Sequence, residues 1–268
     1  MTDKPVFHRL RLLTGAAALE LLQRSRVAVF GLGGVGSWAA EALVRSGVGH
    51  LTLVDNDVVC ITNVNRQVQA TSGNVGRPKT TELASRLADL NPRCKLTPLQ
   101  RAYEPATADS FAWDDFDYVL DCIDSINDKV HLIMRTRAAG ITLYSSMGAA
   151  SKLDPTRIRT ASIWETAGCP LARVVRRKLR EAGFEGDFQT VFSPEVIPPV
   201  ADPDTDGGAS GCYRPDFTPD EGDKHRDRSA ARKIINGSAV HITAIFGMML
   251  AGLVVQDAVD RTDDFPVA

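Results

Sequence analysis

The residues most able to do chemistry begin with a glycine-rich run, Gly31-Leu32-Gly33-Gly34-Val35-Gly36, set between an apolar stretch at 27–30 and the helix-spaced Ser37-Trp38-Ala39-Ala40-Glu41-Ala42-Leu43. Glycines let the backbone turn sharply and approach a ligand closely, and the free N–H groups and dipole of a helix start favour an anion, so Gly31, Gly33, Gly34 and Gly36 read as a phosphate cradle. Asp55 closes the next apolar stretch, roughly twenty residues on, where a carboxylate can accept hydrogen bonds from a ribose. That feature serves a dinucleotide and ATP equally. Arg66 and Lys79 discriminate between them, because a triphosphate attacked at its α-phosphorus develops charge that fixed cations stabilise. Asp124, just past the apolar run at 118–122, can hold the Mg²⁺ that bridges phosphate oxygens, and a dinucleotide needs no metal.

These residues sit in four short segments: Asp55-Asn56-Asp57, Asn63-Val64-Asn65-Arg66-Gln67, Gly76-Arg77-Pro78-Lys79 and Asp121-Cys122-Ile123-Asp124. Each has a plainer reading when taken singly. Arg66 and Lys79 could be solvated surface cations, Asp124 could cap the helix it precedes, and Asn63 with Asn65 could be turn chemistry. Their order and spacing as a set favour the joint, functional reading.

The elements that must position them follow from periodicity. Residues 14–23 have helical spacing, and 26–30 opens a βαβ unit whose helix runs to about 46 and whose second strand covers 50–54. A helix starting at Arg77-Pro78-Lys79 stops before Asn91-Pro92, and strands at 95–99, 118–122 and 141–145 alternate with a helix at 129–139. Such alternation predicts an α/β, Rossmann-like, doubly wound and mostly parallel sheet, with ligands at the carboxyl ends of its strands. Beyond about residue 152, short runs at 157–163 and 190–192 predict an antiparallel extension. A polar, proline- and glycine-rich loop is expected at 199–232. The chain reads as one domain, with an ATP-binding half at 1–150 and a substrate-binding, dimer-contributing half at 151–268.

Composition narrows the class. With 268 residues and 44% hydrophobic content the chain can bury a sizeable core. A net charge of −2 excludes a globally basic nucleic-acid binder, so any RNA contact must be local. The five cysteines form no C-x-x-C pair, against a structural zinc and a disulfide scaffold. The first residues lack a signal-peptide core, and the apolar segment at 239–255 is short and interrupted by His241, so the expected location is the cytoplasm, without membrane insertion. His241, on an otherwise apolar helix, is expected to be buried and hydrogen-bonded.

The chain resembles the ubiquitin-activating-enzyme-like adenylyltransferase superfamily, which includes enzymes of molybdopterin and thiamine biosynthesis. The likeness rests on the glycine loop, the D-x-D strand end, the N-x-x-R-Q turn, the lysine after G-x-x and the D-x-x-D strand end. It implies Mg·ATP binding by Gly31, Gly33, Gly34, Gly36, Asp55, Asp57, Asn63, Arg66, Gln67, Lys79 and Asp124. It also implies a homodimer whose partner brings Arg9, or second to it Arg11, to the phosphates.

Within that superfamily, Gly-Val-Gly-Ser-Trp-Ala-Ala-Glu-Ala-Leu, Asp124-Ser125, Leu153-Asp154-Pro155-Thr156 and Pro170-Leu171-Ala172-Arg173 resemble the tRNA threonylcarbamoyladenosine dehydratases. This implies ATP-dependent cyclisation of the threonylcarbamoyl group on the adenosine beside the anticodon, releasing AMP and pyrophosphate, with a sulfur-transfer protein as a further partner. Activation of the C-terminal glycine of a sulfur-carrier or ubiquitin-like protein is the alternative, while an NAD(P)-dependent oxidoreductase and a silent nucleotide scaffold fit Arg66, Lys79 and Asp124 less well. Cys169 and Cys212 are candidates for a covalent relay. A helix with the apolar stripe Leu171, Val174, Val175, Leu179 and Ala182 carries Arg173, Arg176, Arg177 and Arg180, which either contact tRNA phosphates or form an ordinary solvated face.

Overall fold

The computed structural model describes residues 6–198 and 237–262. The loop expected at 199–232, with Cys212, lies outside them. The apolar run before the cradle forms strand β1 (Arg26–Phe30), the cradle leads into α2 (Gly36–Arg45), and β2 (His50–Asp55) follows. Helix α1 (His8–Arg24) precedes them. It begins earlier than the spacing at 14–23 predicts, and Gly15, at φ +81°, interrupts its helical geometry, a conformation open to glycine.

The remaining elements are α3 (Lys79–Leu90), β3 (Lys95–Gln100), β4 (Tyr118–Asp121), α4 (Ile126–Ala138), β5 (Thr142–Ser146), β6 (Arg159–Ser162), α5 (Pro170–Glu181), β7 (Gln189–Phe192) and α6 (Val240–Asp260). The strands form a seven-stranded sheet in the order β3-β2-β1-β4-β5-β7-β6. Every neighbouring pair is parallel except β6 with β7. The expected antiparallel extension is therefore one edge strand, because β7 joins β5 in parallel register. Pro98 falls in the edge strand β3, where a missing N–H is tolerated.

The period of two along β1 separates two cores. Val27 and Val29 pack with Leu43, Leu83 and Phe246 on one face, while Ala28 and Phe30 pack with Trp113, Leu132 and Val175 on the other. Helix α6 has the length and composition of a membrane span. It packs against α1 and α2, with Ile242, Phe246, Leu250 and Val254 wholly buried. Close approach to α2 needs Gly247, where a Cβ would lie 2.5 Å from Val35 O and 2.7 Å from Ala39 N. The end of α6 is tied down by Tyr118, whose hydroxyl donates to Asp257 at 2.6 Å. His241 is exposed, contrary to expectation, because it lies in the first turn of α6, where its Nε2 is 3.0 Å from Leu153 O. In α5 the buried stripe is Ala172, Val175 and Leu179. Ala182 follows the helix end and is exposed, so it does not extend that stripe.

Candidate functional site

The carboxyl ends of β1, β2 and β4 assemble the site. Gly31, at φ +88°, donates its N–H to Val54 O at 2.9 Å, and a Cβ there would stand 2.7 Å from Cys122 O. A Cβ on Gly36 would stand 1.9 Å from Gly31 O, and one on Gly34 would stand 3.0 Å from Thr243 of α6. Gly31 and Gly36 are required by main chain packed against main chain, and Gly34 sits tightly against the Thr243 side chain. Gly33 differs, with nothing within 4 Å of its Cβ position, so the cradle is open at that point for a ligand.

Asp55 ties the cradle to the strand end. Its Oδ2 accepts the Leu32 N–H at 2.6 Å and its Oδ1 accepts the Asp57 N–H at 2.8 Å. Burial pushes its carboxyl above the ordinary value, against the pull of the Lys79 ammonium. Lys79, only 5% exposed, donates to Asp57 Oδ2 at 2.7 Å and lies 3.9 Å from Asp55 Oδ1. The reading of Lys79 as a solvated surface cation is thereby overturned, since α3 begins with this residue and turns it inward between the two carboxylates.

The N-x-x-R-Q turn sits beside them. Asn63 is buried and serves the turn itself, accepting the Cys60 N–H at 3.0 Å. Asn65 donates to Ser238 O at 3.0 Å, just before α6. Arg66 is half-buried and donates to Thr62 O at 2.7 Å and Asn65 Oδ1 at 2.9 Å, with no carboxylate partner among the described residues. Trp38 of α2 holds this turn by donating to Arg66 O at 3.0 Å. Gln67 is buried and accepts from Gln69, whose amide also donates to the cradle carbonyl of Leu32 at 3.0 Å. Gln69 escaped the sequence reading because it lies outside the recognised spacing.

Asp124 is exposed beside the cradle, in the turn whose Cys122 abuts Gly31. It does not cap α4, because that position belongs to Ser125, and Asp124 has no hydrogen-bond or ion-pair partner among the described residues. Helix α4 starts three residues before the expected 129. Asp121 is fully buried and bonded to Lys129 and Ser145, two polar residues that the sequence reading did not select.

Hydrogen bonds and close packing thus gather the four glycines, Asp55, Asp57, Asn63, Arg66, Gln67, Lys79 and the Asp124 turn at the carboxyl end of the sheet. Arg9 stands elsewhere. The preceding Phe7 folds against Gly47, which precedes β2 at the amino end of the sheet, and Arg9 is exposed.

The arginines of α5 lie beyond β5 and are unequal. Arg176 donates to Thr166 O at 2.6 Å and to the Thr166 hydroxyl. Arg177 is 3.7 Å from Glu181, and Arg180 lies over the Trp164 ring at 5.0 Å. Arg173 is exposed and unpartnered among the described residues, beside a cavity of about 220 Å³ that Gly168, Cys169, Pro170 and Arg176 also line. Cys169 is buried before α5, with its Sγ 3.8 Å from the Cβ position of Gly148.

An open phosphate cradle, a strand-end carboxylate, and an arginine and an aspartate without charged partners among the described residues suit the phosphates and ribose of a nucleotide. Known proteins of the same fold are similar to this chain. The ThiF family model matches residues 7–264. A Bacillus subtilis protein named tRNA threonylcarbamoyladenosine dehydratase is 42% identical over 252 residues, 94% of this chain and 93% of the relative. The crystal structure of the Escherichia coli tRNA N6-threonylcarbamoyladenosine dehydratase in complex with AMP superposes with a TM-score of 0.80 at 31% identity, covering 97% of each chain. The same E. coli enzyme in complex with ATP gives a TM-score of 0.79 with the same identity and coverage. The chain belongs to the ThiF family and, within it, to the tRNA threonylcarbamoyladenosine dehydratases.

Proposed function

We infer that this protein uses ATP to adenylate the carboxylate of threonylcarbamoyladenosine in tRNA, beside the anticodon, and promotes its cyclisation. The observation that carries the reading is the single bonded cluster joining the cradle, through Asp55, to Lys79. A carboxylate is a poor electrophile because oxide or hydroxide would have to leave. Attack of its oxygen on the α-phosphorus expels pyrophosphate and leaves AMP as the leaving group. The ureido group of the same substrate then attacks the carbonyl carbon and AMP departs, so the nucleoside loses one water overall. Intramolecular attack by a well-placed group reaches effective molarities of roughly 10⁵–10⁸ M, and the protein's task after adenylation is to hold that geometry and exclude water.

In this reading the Gly33 N–H and the start of α2 receive phosphate, Asp55 accepts from the ribose, and Arg66 and Lys79 face the charge that develops on phosphorus. Asp124 would hold Mg²⁺, which when bound neutralises phosphate oxygens. Residues 1–150 supply this half, and 151–268 supply the RNA and dimer contacts of a cytoplasmic enzyme. Mixing the protein with Mg·ATP and tRNA bearing the linear modification, then weighing the nucleosides, is expected to show loss of one water mass together with AMP. An unchanged mass, with pyrophosphate exchange dependent on a small carrier protein, would transfer the reading to carrier activation.

Two finer points belong to it. The amino-terminal segment bearing Arg9 packs at the far end of its own sheet and leaves Leu12 and Leu13 exposed, which supports a homodimer in which Arg9 serves the partner's phosphates. Inactive Arg9→Ala and inactive Arg66→Ala proteins should recover activity on mixing, since one of the two mixed sites is then intact. No recovery in a mixture shown to exchange subunits counts against the arrangement. Arg173, without a partner among the described residues, is the α5 residue we assign to an RNA phosphate. Arg173→Ala should lower the slope of log affinity against log salt by about 1, whereas Arg180→Ala, removing a residue engaged with Trp164, should leave it unchanged. Equal slopes for Arg173→Ala and the unaltered protein would remove that assignment.

A further inference from the structure

Three residues before Asp124 lies a polar cluster that nothing in the nucleotide site uses. Asp121 at the end of β4, Lys129 in the first turns of α4 and Ser145 in β5 are all fully buried. Lys129 Nζ donates to Asp121 Oδ2 at 2.7 Å and lies 3.3 Å from Ser145 Oγ, while the Ser145 hydroxyl donates to the same Oδ2 at 2.6 Å. Asp121 Oδ1 accepts the Ile123 N–H at 3.2 Å. The register of β4 and β5 sets Asp121 directly opposite Ser145.

A wholly buried ion pair is a poor device for stability, because desolvating both charges offsets most of their attraction and apolar replacements often do as well. Its position suggests a different purpose. Asp121 and Lys129 stand at the two ends of the turn that carries Asp124, and their bond closes that turn. The turn is otherwise held by main-chain bonds, Cys122 N to Phe30 O at 2.8 Å and Lys129 N to Ser125 O at 2.9 Å. Asp124 makes no side-chain bond of its own among the described residues, where its aim is set by this backbone.

We propose that Lys129 is a positioning residue, which with Asp121 and Ser145 clamps the β4–α4 turn and so holds the Asp124 carboxylate toward the nucleotide phosphates. The role given to Asp124 rests on the adenylation reading above. Without the ammonium, the Asp121 carboxylate would keep only the Ile123 N–H and the Ser145 hydroxyl and would lose the one donor that ties α4 to the end of β4.

The test compares Lys129→Met, the charge-free double variant Asp121→Asn/Lys129→Met, and Ser145→Ala, which removes one donor and leaves the ion pair. Amide hydrogen exchange at 122–125 is measured without nucleotide, followed by kcat, KM for tRNA, and the Mg²⁺ concentration for half-maximal rate. Lys129→Met is expected to be the least stable, since it strands a charge, so the double variant carries the test if the single one fails to fold. In the double variant, exchange at 122–125 should accelerate at least tenfold, kcat should fall at least tenfold, and the Mg²⁺ requirement should rise, with KM for tRNA unchanged. Ser145→Ala should shift the same readouts by a smaller factor. Unaltered exchange, or faster exchange with unaltered kcat, overturns the proposal. If Asp124→Ala itself keeps full turnover while exchange in the double variant accelerates, the clamp holds the turn and the role given to Asp124 is what fails.

Discussion

Asp124→Ala lowers turnover by at least about a hundredfold, the scale expected when a group facing transition-state charge is removed. The expectation follows from what surrounds the residue. Asp124 is exposed, is neither the cap of α4 nor part of any ion pair among the described residues, and lies in a turn pressed against Gly31 of the cradle. Removing an exposed, unpartnered side chain leaves no buried group unsatisfied, so unfolding midpoints should hardly move. A large loss of rate with an unaltered fold therefore separates chemistry from structure. Raised Mg²⁺ should recover part of the rate if the carboxylate acts by holding the metal. Turnover within a few fold of the original, measured as AMP formed with modified tRNA, would sink the assignment of Asp124.

Lys79→Met should lose both activity and stability, and its pH dependence identifies the cause. Lys79 is buried against Asp57 and Asp55, and its ammonium is the main influence keeping the buried Asp55 carboxyl from rising further. Turnover should fall by about a hundredfold through the lost phosphate contact. Stability should fall by about 1–3 kcal/mol near neutral pH, as expected when buried groups lose a hydrogen-bonded partner. The folded-state pKa of Asp55 already stands above its ordinary 3.8 and rises further in the variant. A folded state that binds a proton more tightly than the unfolded state gains stability at low pH and loses it as pH rises through the folded pKa. The stability deficit of Lys79→Met should therefore be small in acid and grow as pH rises through that window. Denaturant unfolding across pH checks this, and a deficit independent of pH would mean that Lys79 and Asp55 are not coupled.

Much of the site was legible because its signals are local. A glycine run between an apolar strand and a helix, and an aspartate closing the next strand, depend on backbone sterics and on periods of two and 3.6 residues, which neighbours in sequence express directly. The order of βαβ units followed from the same periodicities. Edge topology was less legible, since whether residues 189–192 pair in parallel with β5 or only with β6 depends on the path that the intervening helix takes over the sheet. Burial of single polar residues was least legible. Lys79 reads like many surface lysines, His241 like a core histidine, and Lys129 like any cation on a mixed helix, yet the structure buries the first and third and exposes the second.

The sequence by itself determined the cradle, the alternation of strands and helices, and the set of charged groups at the strand ends, because each is a property of a few consecutive residues. Only the tertiary structure decided that Gly33 alone of the four cradle glycines faces open space, that Lys79 is held between two carboxylates, and that Asp124 and, in α5, Arg173 have no partner among the described residues. Desolvation and the pairing of charges depend on which distant segments meet, and those meetings are set by the sheet and its crossovers.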